Sequence, residues 1–219
     1  EALEQAVAML KSGAIVAVKG LSGFHLMLDP RNSQAIQRLR NLKQRPEKPF
    51  ALMAGLEDIH THSELSEEEK TLLKSPSAPI VLVKKREDSD LSEEIAPGSN
   101  KLGFMLPCTS LHHRLSQMFS GPLIATSGNR HDERICYENQ QAFDELSDFA
   151  DYFLCHDREI IRPLDDSIAR IIAGEPSWFR CGRGIAPIQM KFAALGKESL
   201  STGALMKNSF ALCDGENLI

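Results

Sequence analysis

The chain has 219 residues, 42% of them apolar and 25% charged, and its 25 lysines and arginines against 30 aspartates and glutamates leave a formal charge of −5. That length supports one domain with a sizeable core and a remainder, no stretch approaches the ~18 apolar residues of a membrane span, and Glu1 and Glu4 stand where a secretory leader would be basic. Five cysteines, odd in number and never spaced C-x-x-C, argue against a disulfide framework or a structural zinc site and for a reducing cytoplasm, while Glu1 in place of Met reads as the start of a fragment.

Leu3, Ala6, Val7 and Leu10 recur at helical spacing, with Gly13 as the stop. Ala14 to Val18 is an apolar, β-branched run that reads as a buried strand, and Phe24 to Leu28 is a second one after Gly20 and Gly23. Asp29-Pro30 reads as an N-cap with proline at the first helical position. The helix that follows turns Ile36, Leu39 and Leu42 inward and leaves its basic residues on other faces. Phe50 to Met53 reads as a strand, Ser66-Glu67-Glu68-Glu69 as a capping box, and Pro79 to Val83 and Leu102 to Leu106 as strands. A helix follows Thr109 or Ser110, and Pro122 to Ala125 is a strand running into Thr126-Ser127-Gly128-Asn129. Ala142, Phe143 and Leu146 mark a helix and Tyr152 to Leu154 a strand, while Ser167 to Ile172 and Ser177 to Cys181 flank Gly174-Glu175-Pro176 as a hairpin. Lys191 to Leu195 and Ser209 to Cys213 read as two further strands, the second followed by Asp214-Gly215 turn chemistry. Alternating strands and helices with one hairpin predict an α/β (α+β) fold on a mixed, twisted sheet.

Charge is unevenly distributed. From Arg31 to Pro49 six cations (Arg31, Arg38, Arg40, Lys43, Arg45, Lys48) face only Glu47, a local charge of +5, and acidic blocks at 57–69 and 87–94 more than cancel it. Lys43-x-Arg45-x-x-Lys48-Pro49 suits a phosphate-bearing ligand, because arginine offers a bidentate fork and lysine a point charge. A solvated basic surface is the alternative. The loop 126–129 follows a buried strand, where α/β sheets place ligands, and Arg180-Cys181-Gly182-Arg183 adds two arginines at another strand end. Gly20-Leu21-Ser22-Gly23 lacks both G-x-G-x-x-G and the G-K-[ST] ending, and His60-x-His62 and His112-His113 lack H-E-x-x-H, so no metal ligand is assigned. Asp165-Asp166-Ser167 could hold a cation, orient a ligand or cap a strand edge. These groups together predict a nucleoside triphosphate in an arginine- and lysine-lined cavity.

In chain order, Gly20 to Leu26, Lys43-Gln44-Arg45-Pro46-Glu47-Lys48-Pro49-Phe50-Ala51, Ala96-Pro97-Gly98, Gly103 to Pro107, Leu111-His112-His113, Thr126 to Asn129, His156-Asp157-Arg158 and Asp165-Asp166-Ser167 form one set. That set resembles the YrdC-like domain of the HypF family, the nickel–iron hydrogenase maturation carbamoyltransferases. The resemblance covers residues 1–188, and residues 189–219, with Gly203 to Phe210, resemble the opening hairpin of the actin-type domain that follows in that family. It implies a YrdC-like twisted mixed sheet flanked by helices around a central, positively charged cavity. It further implies ATP with Mg²⁺ as cofactors, carbamoyl phosphate or carbamate as substrate, adenylation to carbamoyl-adenylate, and passage of the carbamoyl group in the longer protein to the C-terminal cysteine of HypE. By the same carry-over Lys43, Arg45 and Ser127 are catalytic. Lys43, Arg45 and Lys48 meet phosphates, Ser127 and Asn129 the adenylate, and Ser167, Arg180 and Arg183 the phosphate or carbamoyl end. Two alternatives stay open: a threonylcarbamoyl-adenylate synthase for tRNA modification, disfavoured because Gly20 to Leu26 lacks that branch's threonine–tyrosine pattern, and a double-stranded-RNA-binding module using the +5 segment.

Overall fold

A computed structural model describes residues 1–131, 133–191, 197–203, 210–214 and 217–219. Helix α1 (Ala2–Lys11) buries Ala6, Val7 and Leu10 and ends at Gly13, whose φ of +89° is the left-handed stop that glycine adopts without strain. Strands β1 (Val16–Lys19) and β2 (Phe24–Leu28) pair antiparallel, their loop closed by Gly20 N–H donating to Gly23 O at 2.8 Å. Helix α2 (Ser33–Leu42) begins later than Asp29-Pro30 suggested. Asp29 instead closes a turn by accepting the Arg31 N–H through its side chain, and Asn32 caps the helix by accepting from Ala35 N–H. A second correction concerns the same helix: Arg40 and, just after it, Lys43 are buried rather than displayed on a solvated face.

Strand β3 (Ala51–Met53) leads to helix α3 (Leu56–His62), which the acidic composition of 57–69 concealed. Ile59 faces the core and Glu57 and Asp58 sit in the first turn, where the helix dipole favours them. After β4 (Ser63–Glu64), helix α4 (Glu67–Leu73) opens with both hydrogen bonds of the Ser66/Glu69 capping box. Strands β5 (Ile80–Lys85) and β6 (Lys101–Met105) follow, then α5 (Ser110–Phe119) capped by Thr109, β7 (Leu123–Ser127), α6 (Asn139–Leu146) and β8 (Tyr152–Leu154). The hairpin of β9 (Ile168–Ile172) and β10 (Glu175–Arg180) turns on Ala173-Gly174, both at positive φ, so Pro176 lies in an edge strand rather than in the turn.

The ten-stranded sheet runs β10-β9-β5-β6-β3-β7-β2-β1-β8, with β4 beside β5; β1–β8, β3–β6 and β5–β9 are parallel and the other pairs antiparallel. Alternation sorts side chains to two faces. Leu26, Leu28, Leu52, Phe104 and Ile124 pack under α2, α3, α4 and α6, while Val16, Met27, Met53, Met105 and Leu123 pack under α1 and α5. The mixed sheet between helical layers agrees with the predicted fold class.

One connection positions the site. β8 and β9 lie seven places apart in the sheet order, so residues 155–167 must cross it. The crossing is tied down by Leu164 N–H to Ser22 O at 3.3 Å and by Lys19 Nζ to His156 O at 3.2 Å. It ends with Asp166 Oδ2 at 3.1 Å from His25 Nε2. Five steps separate β9 from β2, which in a flat sheet at ~4.8 Å each would be ~24 Å. Sheet curl and the crossing segment together close that gap.

The chain divides into two compact units, Glu1–Gly184 and Ile185–Ile219. Among the described residues the second holds four antiparallel strands instead of the two expected: β11 (Met190–Lys191), β12 (Ser199–Thr202), β13 (Phe210–Cys213) and β14 (Asn217–Leu218), in the order β11-β14-β13-β12. Residues 192–196, 204–209 and Gly215, on which part of that expectation fell, lie outside the described residues. Among the described residues no helix is long and apolar enough to cross a membrane.

Candidate functional site

Strand β7 ends at Ser127, flanked by the starts of β3 and β2, because both neighbours run antiparallel to it. The loop 126–129 therefore meets the basic segment that precedes β3. Lys43 Nζ donates to Ser127 O at 2.9 Å, Asn129 O at 2.8 Å and Asn129 Oδ1 at 3.0 Å. All three ammonium protons thus serve the loop. Ser127 Oγ donates to Asn129 Oδ1 at 2.7 Å, and Asn129 Nδ2 donates to the carbonyls of Arg130 and Glu133 at 2.9 Å each. Gly128 fits because an added Cβ would come within 3.0 Å of Phe24 backbone oxygen.

Arg45 donates to Lys48 O at 3.0 Å, Thr126 Oγ1 at 3.3 Å and Pro49 O, and lies 4.9 Å over the Phe50 ring. Arg40, 4.6 Å from the centre of the same ring, donates to the carbonyls of Glu94, Arg45, Pro46, Lys48 and Ile95. Among the described residues no carboxylate forms an ion pair with Arg45. Burial, reinforced by the charges of Arg40 and Arg180, pushes its pKa down to about 10. A partly desolvated cation with cationic neighbours is stabilised by an arriving anion.

The second cluster forms where the crossing segment enters β9. Asp166 accepts from His25 Nε2 at 3.1 Å and from Arg183 NH2 at 3.0 Å, and its carbonyl faces Arg180 NH1 at 3.5 Å. Ser167 Oγ donates to Arg183 O at 2.9 Å and accepts from Gly182 N–H at 2.9 Å. Gly182 permits this approach, since a Cβ there would lie 2.2 Å from Asp165 O. Burial alone would raise the Asp166 pKa, but the His25 and Arg183 contacts outweigh it and hold the carboxyl below its usual range. His112 packs against His25 with ring centroids 5.8 Å apart. Burial, the charge of His25 and other cations push the His112 pKa down to about 3 despite Asp166. Among the described residues four buried side-chain atoms have no hydrogen-bond partner: His25 Nδ1, His112 Nε2, His156 Nδ1 and Asn139 Oδ1. Beside this cluster a cavity of about 490 Å³ lies between Gly20-Leu21, the first turn of α5 and residues 156–162 of the crossing segment.

Of the residues singled out from sequence, Lys43, Arg45, Ser127 and Asn129 come together, and Ser167, Arg180 and Arg183 form the second group. The charge of Arg180 felt at Arg45 links the two. Lys48 is exposed and contributes its carbonyl to Arg40 and Arg45. The +5 segment is not a free basic face: Arg31 pairs with Asp90 at 2.7 Å, Arg38 with Asp151 at 2.8 Å, and Arg40 and Lys43 point inward. Sequence reasoning missed His25, His112 and Asp166 as a unit. The available signal was a histidine inside the apolar run Phe24-His25-Leu26-Met27, a position that burial makes informative.

Comparison with known proteins identifies the family and the fold. The Sua5/YciO/YrdC family, described as "Telomere recombination", matches residues 8–182. Carbamoyltransferase HypF of Synechocystis sp. is 44% identical over 220 residues, covering 96% of this chain but 29% of the relative, so the chain spans under a third of that protein's length. Human threonylcarbamoyl-AMP synthase is 34% identical over 131 residues, 59% of this chain and 47% of the relative. A crystal structure of full-length HypF in the phosphate- and nucleotide-bound form superposes with a TM-score of 0.90 at 36% identity, covering 99% of this chain and 35% of that one. With the family match extending across nearly all of the first unit, the chain belongs to the Sua5/YciO/YrdC family.

Proposed function

We propose that residues 1–184 bind ATP and adenylate carbamate, drawn from carbamoyl phosphate, to carbamoyl-adenylate. The observation that carries this reading is Arg45: a half-buried guanidinium without a carboxylate partner among the described residues, its pKa depressed by burial and two neighbouring arginines. The similarity to a HypF structure holding phosphate and nucleotide supports the same ligand class.

In this reading the carbamate oxygen attacks the α-phosphorus of ATP, the bond to the β-phosphate oxygen breaks, and pyrophosphate leaves. Charge builds on the phosphoryl oxygens, so pre-positioned donors supply the catalysis and no protein nucleophile is needed. Arg45, Arg180 and Arg183 face the phosphates, with Lys48 at the exposed rim. Ser127 and Asn129 contact the adenylate, and Ser167 holds the Arg180–Arg183 turn. Lys43 acts through the loop it clamps. Among the described residues no three His, Cys, Asp or Glu side chains gather as a metal site. Mg²⁺ fits here as an ion carried by the nucleotide phosphates and water, its usual mode. In the longer protein the carbamoyl group would pass onward to the HypE cysteine.

ATP–pyrophosphate exchange tests the reading. Exchange dependent on carbamate or carbamoyl phosphate supports it. Exchange dependent on threonine plus bicarbonate would instead favour a threonylcarbamoyl-adenylate synthase, the reading that similarity to the human synthase favours. ATP binding without exchange with either substrate would remove both.

A further inference from the structure

Asp166 takes no step in that chemistry, yet its carboxylate is 13% exposed at the entrance of β9. A buried ion pair is often no more stable than apolar packing of the same volume, so what this one holds in place matters more than its strength. It holds Arg183 by one edge. Oδ1 accepts from Nε at 3.3 Å and from NH2 at 3.0 Å, and NH2 also donates to Ala78 O at 3.1 Å. Contacts along one edge of a planar fork fix its rotation as well as its position. NH1 has no hydrogen bond among the described residues and is not one of the four buried atoms without a partner, so it stays accessible as a donor. Nε and NH2 of Arg180 are in the same condition, while its NH1 meets the Asp166 carbonyl at 3.5 Å.

The backbone repeats the attachment. Asp166 and Arg183 form a parallel bridge, Arg183 N–H donates to Asp165 O at 2.9 Å, and Ser167 Oγ ties Gly182 N–H to Arg183 O. The turn that carries both arginines is thereby anchored to the entrance of β9. The second carboxylate oxygen reaches across the site. Oδ2 accepts from His25 Nε2 at 3.1 Å, a bond that an ionised carboxylate makes with or without charge on the ring. His25 is paired with Ser127 in the β2–β7 register. One carboxylate thus joins the arginine turn, anchored to a strand five places from β2 in the sheet order, to the strand pair that ends in the loop 126–129.

We propose that Asp166 is the positioning residue of the site: it turns Arg183 so that NH1 faces the bound nucleotide, and it fixes the spacing between the Arg180–Arg183 turn and the Ser127–Asn129 loop. This assignment rests on the adenylating function proposed for those residues. Asp166 itself touches no substrate atom and acts through Arg183. Positioning matters most where geometry is strictest, in the transition state, so its loss falls on kcat more than on ATP binding.

A double-mutant cycle in ATP–pyrophosphate exchange by the 219-residue chain tests it. Asp166→Asn is expected to lower kcat about 30-fold with KM for ATP within about threefold of wild type. Arg183→Ala is expected to lower kcat/KM about 100-fold, and the double variant to lose no more than about threefold beyond it, because the carboxamide has nothing left to misplace. Asp166→Glu, which keeps the charge one methylene further out, is expected to recover thermal stability but not kcat. Losses that multiply in the double variant overturn the proposal, as does wild-type kcat in Asp166→Asn or Asp166→Glu. Should Asp166→Asn not fold, Arg183→Lys reads the same contact, since one ammonium cannot reproduce the two-edged fork, and wild-type kcat there also overturns it. Failure of the adenylating reading looks different: the wild type exchanges with neither carbamate nor threonine plus bicarbonate. The Arg183 Nε–H resonance then decides, expected to be sharp in wild type and broadened in Asp166→Asn or Asp166→Glu; a signal unchanged by both variants removes the positioning role.

Discussion

The two polar clusters of the site handle positive charge in opposite ways. Around Lys43 and Arg45 the cations are satisfied by carbonyl and hydroxyl oxygens, Ser127 O, Asn129 O and Thr126 Oγ1 among them, which hold them in place without cancelling their charge. Around Arg183 the partner is the Asp166 carboxylate, which opposes that charge directly and also accepts from His25 Nε2. Dipoles leave a field for a polyanion, whereas an ion pair leaves only directional donors and acceptors. The two clusters meet at the strand pairing of His25 with Ser127.

The harshest test of the contrast is Lys43→Met, which keeps the stem but removes the ammonium from three loop oxygens. Hydrogen bonds from a charged donor contribute about 1.5–3 kcal/mol each, so a stability loss of ~3 kcal/mol in urea unfolding is expected, with ATP binding lost as the loop relaxes. Full ATP affinity in a folded variant would show that the loop does not depend on the clamp. Arg45→Ala should weaken ATP binding by about 10–100-fold in calorimetry with little change in stability. Arg45→Lys should recover only part, since an ammonium cannot reproduce the guanidinium fork.

Asp166→Asn probes the cancelled half. The folded carboxyl titrates below the ordinary value of about 3.9, so its stabilising contribution is complete above about pH 4 and is lost as pH falls through the folded value. The variant should therefore melt lower than wild type at pH 7 and show a flatter acid limb in a calorimetric pH series. Parallel acid limbs would mean that Asp166 does not carry the coupling. The smallest effect belongs to Arg38→Ala. Its pair with Asp151 is half-exposed and outside the site, and exposed pairs contribute about 0.2–1 kcal/mol. A urea midpoint moving by more than that would blur the distinction between surface pairs and the Asp166 network.

Much of this was legible from the chain alone. Helical spacing marked α1, α2, α5 and α6; Ser66 to Glu69 wrote its own capping box; apolar β-branched runs marked the central strands; and ordered motifs pointed to the family. Helix α3 was hidden because four of its seven residues are acidic or histidine, and its inward face is marked by one buried apolar residue, Ile59, beside the buried His62. The start of α2 was misplaced because Asp29 and Asn32 offer competing side-chain acceptors, a choice made by which turn packs.

Sequence by itself determined the elements, their order and the chemical kinds of residue at each loop, because periodicity, caps and turn residues act over a few positions. Which charges stay open and which are cancelled was decided only in three dimensions. Lys43 meets Ser127 across 84 positions and His25 meets Asp166 across 141. Those meetings depend on the curl of the sheet and on a segment crossing it from β8 to β9, and no local pattern encodes either one. The +5 segment shows the difference: as composition it is a basic patch, and as structure it is two surface ion pairs, two inward clamps, one exposed lysine and one half-buried arginine with no carboxylate partner among the described residues.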